Sequence, residues 1–294
     1  MGGLLLLALL ASATASTRGE RIDARCRSDR RISATGLCGE SATTPELPPL
    51  PTGPIVALLA NNIDGSNNTT LANGALIPTW KNLGSATVAD FVQATDDQKP
   101  SMRKAGEEQA STFDGVFDLM TSPGSKTSLN FIHKTGVFDV ILVVRRTNNS
   151  VSNERRLFGG CEGQAGLAVL LLTPSATEGA IWIILGGGAG LITNFQTTIV
   201  TPLGTPYKVL VRGDGTQTRV SHDFSTFQSQ AFAAALGTTD SFYDYSIGAA
   251  NPSQTTPLTF AGEIFDVLVY DRNLSPAELT QVTTFLDAQI GPGT

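Results

Sequence analysis

From Ile55 onward the chain is a succession of short apolar runs, "IVALLA", "VADFV", "VFDVILVV", "GLAVLLL", "AIWIIL", "YKVLVRG" and "IFDVLVY", each bounded by Gly, Pro, Asn, Asp or Ser. Runs of about four to eight residues rich in Val, Ile, Leu and Phe are too short for core helices and have the length and chemistry of strands. The 30 Gly and 15 Pro in 294 residues supply the turns between them. Several runs are apolar at nearly every position, as expected of strands covered on both faces. "TRVSHDF" alternates instead, with Arg219, Ser221 and Asp223 on one side and Val220, His222 and Phe224 on the other. Two stacked antiparallel sheets accommodate both patterns. The expected class is an all-β sandwich in one domain, residues 55–294.

The residues before it have a different chemistry. Leu4, Leu5, Leu6, Leu7, Leu9 and Leu10 make an apolar start, followed by Ala13-Thr14-Ala15, the small-residue pattern of a signal-peptidase site. The run is short of the roughly 20 residues that span a bilayer, and it lacks a positive leader. Two readings stand: an export signal cleaved after Ala15, or a retained apolar plug that anchors the chain in a partner. Arg18 to Arg31 holds six Arg against Glu20, Asp23 and Asp29, which reads as solvated, flexible charge. Cys26 and Cys38 are candidates for a small disulfide loop in an oxidising setting, with Cys161 left over. Residues 1–42 form this anchor or signal segment, and the proline-rich stretch 43–54 is expected to run as an extended, semi-rigid linker.

The net charge of −6 is uneven: residues 54–294 hold 14 Lys+Arg against 21 Asp+Glu. That balance repels a phosphate backbone, and no basic stripe is interleaved with aromatics, so nucleic acid is excluded as a partner of the main domain.

The closing segment "GEIFDVLVYDRNLSPAELTQVTTFL" turns from strand to helix within a few residues. Ser275 and Glu278 have capping-box spacing, Leu274 and Leu279 that of a hydrophobic staple, and Pro276 takes the first helical position. Leu279, Val282, Phe285 and Leu286 share one helical face that should dock on the sandwich. The pattern Phe260-x-Gly262-x-Ile264-x-x-Val267-x-Val269-Tyr270-x-Arg272-x-Leu274-Ser275-x-x-Glu278 resembles the C-terminal signature of laminin-G-like domains, within the concanavalin A-like lectin/glucanase superfamily. "IPTWKNLGS" around Trp80, Phe113-Asp114-Gly115 and "PYKVLVRGDG" resemble upstream elements of that family in the expected order.

The resemblance implies an antiparallel jelly-roll β-sandwich with a short C-terminal helix, whose relatives bind glycans or proteins, sometimes hold Ca²⁺, and in some branches hydrolyse polysaccharides. Asp114 and Asp118 are the candidate oxygens for Ca²⁺, which needs 6–8 ligands; no other cofactor is expected. Hydrolysis needs two carboxylates at a controlled separation. The glucanase strand motif Glu-x-Asp-x-x-Glu is not found, Glu107 and Glu108 are adjacent, and Glu263 and Asp266 fall on opposite faces of a regular strand. Ser221-His222-Asp223 are strand neighbours that cannot form a relay, there is no Gly-x-Ser-x-Gly elbow, and "GGGAGL" reads as a turn. The expectation is therefore a chain with no catalytic residues, not an enzyme, with polysaccharide hydrolysis left only to carboxylates distant in sequence. Arg212-Gly213-Asp214 is an integrin-type tripeptide, but Asp214-Gly215 is foremost a hairpin turn. Among aromatics that could stack on sugar rings, Trp80, Trp182, Phe242, Tyr243 and Tyr245, Trp182 reads as core. Tyr243 and Tyr245, on one strand face, and Asp244 between them join Trp80 as the chosen ligand-binding candidates.

Two functions follow. One is an adhesion or structural module in a larger, oligomeric assembly, such as a virion fibre, collar or decoration protein. Residues 1–53 would contact other subunits, with the sandwich displayed toward cell-surface glycans. The other is a secreted, extracellular carbohydrate-binding protein. The sequons at Asn67, Asn68, Asn148 and Asn273 bear on a eukaryotic secretory path, and a glycan at Asn273 would crowd the helix cap.

Overall fold

The computed structural model describes residues 48–106, 108–147, 155–161, 164–172, 179–249 and 258–290. The expected anchor leucines, Leu4 to Leu10, and the Cys26–Cys38 pair lie outside the described residues. Sixteen strands run in chain order as β1 (Val56–Leu59), β2 (Thr79–Trp80), β3 (Phe91–Val92), β4 (Ser101–Ala105), β5 (Glu108–Asp114), β6 (Met120–Thr121), β7 (Val137–Arg146) and β8 (Arg155–Gly159). They continue as β9 (Gly166–Leu172), β10 (Ala180–Gly186), β11 (Leu191–Val200), β12 (Tyr207–Asp214), β13 (Gln217–Ser221), β14 (Gln228–Ala231), β15 (Ser246–Ile247) and β16 (Ala261–Tyr270). Two single-turn helices, α1 (Ser125–Ser128) and α2 (Phe131–Lys134), precede β7, and α3 (Pro276–Ile290) closes the described chain.

The strands form two sheets, and every pairing between them is antiparallel. The first sheet has the order β14-β13-β12-β7-β16-β5-β4, with β1 also on β16; the second has the order β11-β10-β9-β8-β15-β6-β3-β2. Their facing side chains, among them Val140, Leu142, Val144, Val209, Val267 and Val269 from one sheet and Val169, Leu171, Ile181 and Ile183 from the other, make the principal core. This is the all-β jelly-roll sandwich with a C-terminal helix that the sequence points to.

The centre of the first sheet is buried on both faces, as the unbroken apolar runs require. All ten residues of β16 are buried. Its outer side chains, Phe265, Leu268 and Tyr270, join Ile141, Val143 and Leu210 against Leu279, Val282, Phe285, Leu286 and Ile290 of α3. The capping box forms reciprocally: the Ser275 N–H donates to Glu278 Oε2 at 2.8 Å and the Glu278 N–H to Ser275 Oγ at 3.3 Å. Leu274 and Leu279 lie in the same cluster. Residues 48–54 are not a free spacer. Leu50 packs into this cluster, the Pro49 carbonyl accepts from the Gln281 side chain, and Thr52 O accepts from Arg272 at 3.1 Å.

Two sequence expectations fail for local reasons. A β-bulge between Ile264 and Asp266 shifts the register of β16 against β7. The extra residue breaks the two-residue alternation, so Glu263, Phe265 and Asp266 all leave the inter-sheet core, and Glu263 and Asp266 do not point to opposite faces. The strand β13 ends at Ser221, so the alternation of "TRVSHDF" stops there: Ser221 is buried and donates to Asp223 Oδ1 at 2.8 Å, His222 is exposed, and Phe224 is buried with φ 59°.

Candidate functional site

Three loops meet in an open cleft of about 500 Å³. They are the β8–β9 connection at Gln164–Ala165, the β10–β11 turn at Gly187–Ala189, and the long segment between β14 and β15 at Thr238–Phe242. The sequence reads Gly186 to Leu191 as a turn, and it is one, closed by the Gly187 N–H on Gly190 O at 2.9 Å. Glycine is required beside it: a Cβ on Gly186 would lie 1.6 Å from the Gln164 carbonyl oxygen.

The wall at 237–244 is fastened to α1 and α2. The Gly237 N–H donates to His133 O at 2.9 Å and the Ser241 N–H to Lys126 O at 3.1 Å. Asp240 Oδ1 accepts from Asn130 Nδ2 at 2.8 Å and Lys134 Nζ at 3.2 Å, and its Oδ2 accepts from Thr127 Oγ1 at 2.8 Å. These hydrogen bonds, led by Asn130, hold the Asp240 carboxyl down at about 2, so it is ionised throughout the neutral range. Its rim position leaves it reachable from solvent.

His133 lies beneath the wall, fully buried, with Nε2 2.8 Å from Thr239 O. A carbonyl only accepts, so the proton sits on Nε2. Nδ1 then faces the interior with no partner among the described residues. Burial lowers the His133 pKa, so the imidazole stays neutral.

Phe242 projects 48% exposed at the edge of the cleft, packed edge-on against Tyr243 with ring centroids 4.5 Å apart. Its N–H is held by Ala165 O at 2.9 Å and that of Tyr243 by Gly160 O at 3.0 Å. A fixed aromatic beside an ionised carboxylate, an amide and several hydroxyls offers an apolar plane together with hydrogen-bonding groups, the complement of a sugar ring.

The structure places the candidate aromatics of the sequence differently from one another. Residues 241–245 are a loop that leads into β15, so Tyr243 and Tyr245 do not share a strand face. Tyr245 is fully buried against Phe158, with its hydroxyl at Leu167 N and Ser241 Oγ. Asp244 accepts the Lys126 N–H at 3.0 Å and braces α1. Trp80 is also fully buried, its Nε1–H on Leu59 O at 3.3 Å. Neither Trp80 nor Tyr245 has surface to offer a ligand. Trp182 is partly buried on the outer face of the second sheet, packed on the Cys161, Ala168 and Leu170 cluster with its indole N–H on Asn194 Oδ1. Its strand is apolar enough to hide that.

Asp114 and Asp118 close a turn upon themselves. Asp114 Oδ1 accepts from Val116, Phe117 and Asp118 N–H at 2.7, 3.1 and 3.3 Å, and Asp118 Oδ2 accepts the Asp114 N–H at 2.8 Å. Burial pushes the Asp118 carboxyl up to about 6. Among the described residues no three His, Cys, Asp or Glu gather closely enough to hold a metal, and this pair does not fit the 6–8 oxygens of Ca²⁺.

Arg212-Gly213-Asp214 is closed to an outside receptor. Arg212 forks onto Asp139 at 2.7 and 2.6 Å, while Asp214 caps the hairpin through Thr216 N and Gln217 N, both at 3.0 Å. Two sequons are spent likewise. Asn273 Nδ2 donates to Gly213 O at 2.8 Å and Phe138 O at 3.0 Å, and Asn68 is fully buried.

No protein-family model matches the chain, and no curated protein matches it. Among solved structures it is similar to a Trypanosoma rangeli sialidase in complex with a difluoro-nononic acid, with TM-score 0.54 and 18% identity over 83% of this chain and 34% of that one. A mutant of the same sialidase displaying trans-sialidase activity gives TM-score 0.52 and 16% identity over 93% of this chain and 38% of that one. Domain 4 of an extracellular arabinanase from Geobacillus stearothermophilus, in complex with arabinotriose, gives TM-score 0.48 and 14% identity over 78% of this chain and 98% of that one.

The chain thus spans about a third of the length of the sialidases. What it shares with them is the fold, a two-sheet antiparallel sandwich of the lectin-like jelly-roll type. The likeness does not single out the laminin-G branch. It also overturns the reading of the chain as not an enzyme: these solved chains are themselves sialidases, so lack of one strand motif excludes nothing.

Proposed function

We propose that residues 48–290 form a carbohydrate-binding sandwich whose ligand sits in the cleft between Gln164–Ala165, Gly187–Ala189 and Thr238–Phe242. The observation that carries this reading is Phe242, held 48% exposed beside the ionised, pre-positioned carboxylate of Asp240. Nearly half of a large aromatic side chain is left in water although its backbone is fixed on both sides, which suits a surface that covers it on binding. The solved sialidases that share this fold are glycan-acting proteins, which supports a sugar as ligand without naming which one.

Titration calorimetry of the full chain against a panel of oligosaccharides tests it. Phe242→Ala should weaken binding about tenfold or more, the loss expected of an anchoring aromatic. Phe117→Ala, which removes an aromatic outside the cleft that is also 48% exposed, should leave affinity unchanged. Equal affinity of Phe242→Ala and the parent would sink the cleft as the site.

The laminin-G-like reading of the closing segment, and the display of the sandwich in a particle or cell-surface assembly through residues 1–53, are finer proposals carried by the sequence. Deleting residues 1–40 should abolish incorporation and leave the sandwich folded. A native N-terminus at Ser16, read by intact mass, would favour the secreted alternative.

A further inference from the structure

We infer that the cleft takes neutral sugar units and discriminates against acidic ones. The inference rests on the binding site proposed above and names the class of glycan that its charges admit.

Among the described residues that line the cleft, Asp240 carries the only formal charge. Lys134, outside the lining, pairs with that carboxylate at 3.2 Å. The buried imidazole behind the wall cannot serve as a second cation, because its Nε2–H is committed to Thr239 O and burial keeps the ring neutral. The remaining lining offers Gln164, Thr238, Thr239 and Ser241, groups that donate and accept without charge.

A hydroxyl-bearing neutral sugar can donate into Asp240 and form charge-assisted hydrogen bonds. A uronic or sialic acid brings a second carboxylate, which only accepts and finds no unengaged cation in the lining. A Cβ on Gly188, whose φ is +87°, would come within 3.1 Å of Thr239 Oγ1, so a bulkier cationic side chain there is disfavoured. With Asp240 and Lys134 paired to each other, the lining holds no net positive charge to offset the desolvation of an acidic sugar's carboxylate, a cost of about tenfold in affinity.

The closing experiment compares chemically matched ligands on the full chain, oligogalactose against oligogalacturonate, by calorimetry at low and at high salt. The expected result is at least about tenfold tighter binding of the neutral oligomer, with the gap narrowing in Asp240→Asn and in high salt. Tighter or equal binding of the acidic oligomer would overturn this inference and leave the carbohydrate-binding reading standing. A gap that persists unchanged in Asp240→Asn would overturn the role given to that carboxylate. Failure of every neutral and acidic oligomer to bind would overturn both readings.

Discussion

Asp139 and Asp240 each tie together pieces of chain that are far apart in sequence, and they do it in opposite surroundings. Asp139 on β7 is fully buried beneath the start of α3, where it receives the fork of Arg212, the Leu274 N–H at 2.8 Å and the Asn273 amide. Burial raises its pKa even against that guanidinium. Asp240 receives Asn130, Thr127 and Lys134 at the surface, and hydrogen bonding lowers its pKa. The first carboxylate is consumed by the fold. The second is held just as firmly yet still faces water, so it can also act on something from outside. Saturation with internal partners, more than the number of contacts, separates a structural acid from an available one.

The contrast can be broken most severely at the buried end. Asp139→Ala leaves Arg212 without its partner and frees the Leu274 amide, and unfolding in urea should show a loss of about 3–5 kcal/mol. A loss below about 1 kcal/mol would mean that the helix junction holds without it.

Asp266 extends the same comparison into pH. It is fully buried, neither of its oxygens has a well-formed partner among the described residues, and burial pushes its pKa up to about 7, against the weaker pull of the Ala60 amide and the Gln289 side chain. Its ordinary value is 3.8. Between those values the native state holds a proton that the unfolded chain has released. Its stabilisation is therefore complete below pH 3.8 and drains away as pH rises through about 7. Asp266→Asn should be more stable than the parent at pH 8 by roughly 4 kcal/mol, and the two curves should converge toward pH 4. His133 acts in the other sense: its depressed pKa costs stability as pH falls below the unfolded value of 6.5. Parallel curves for parent and Asp266→Asn would refute the assignment.

Smaller effects sharpen the picture. Ser275→Ala removes one half of the capping box and should cost about 1 kcal/mol, read as a shift of the denaturation midpoint at constant slope. Phe242→Ala should change stability by no more than about 0.5 kcal/mol, because half of that ring already lies in water. The same substitution should show the largest loss of glycan affinity. A protein destabilised by it would place Phe242 with the core instead of the cleft.

The helix-covered end was legible because its signals are local. Ser275, Pro276 and Glu278 declare a cap within four residues, and the face of Leu279, Val282, Phe285 and Leu286 follows from the helical repeat. The cleft was legible only as a suspicion about Tyr243 to Tyr245. Which aromatic of that stretch faces water depends on backbone held by Ala165, Gly160 and Lys126, residues about 80 to 120 positions away. No periodicity encodes such a choice. Trp182 illustrates the converse: "AIWIIL" is uniformly apolar, and only the position of β10 in the second sheet shows which alternate residues meet solvent. The bulge at Phe265 was equally silent, since an added residue in a fully apolar strand leaves the pattern of letters unchanged.

The placement of β16 has a consequence for how this protein comes into being. It joins β1, β5 and β7, so Val56 must find Val269 across more than two hundred intervening positions. Topologies dominated by such distant pairings form slowly. On a ribosome, the earlier strands of that layer would emerge with their future neighbour still unmade and their edges unpaired, the condition under which nascent chains recruit chaperones or stick to one another. Any interruption of translation before Tyr270 would yield a sheet without its middle, so a partial product should be cleared rather than persist as a smaller folded unit.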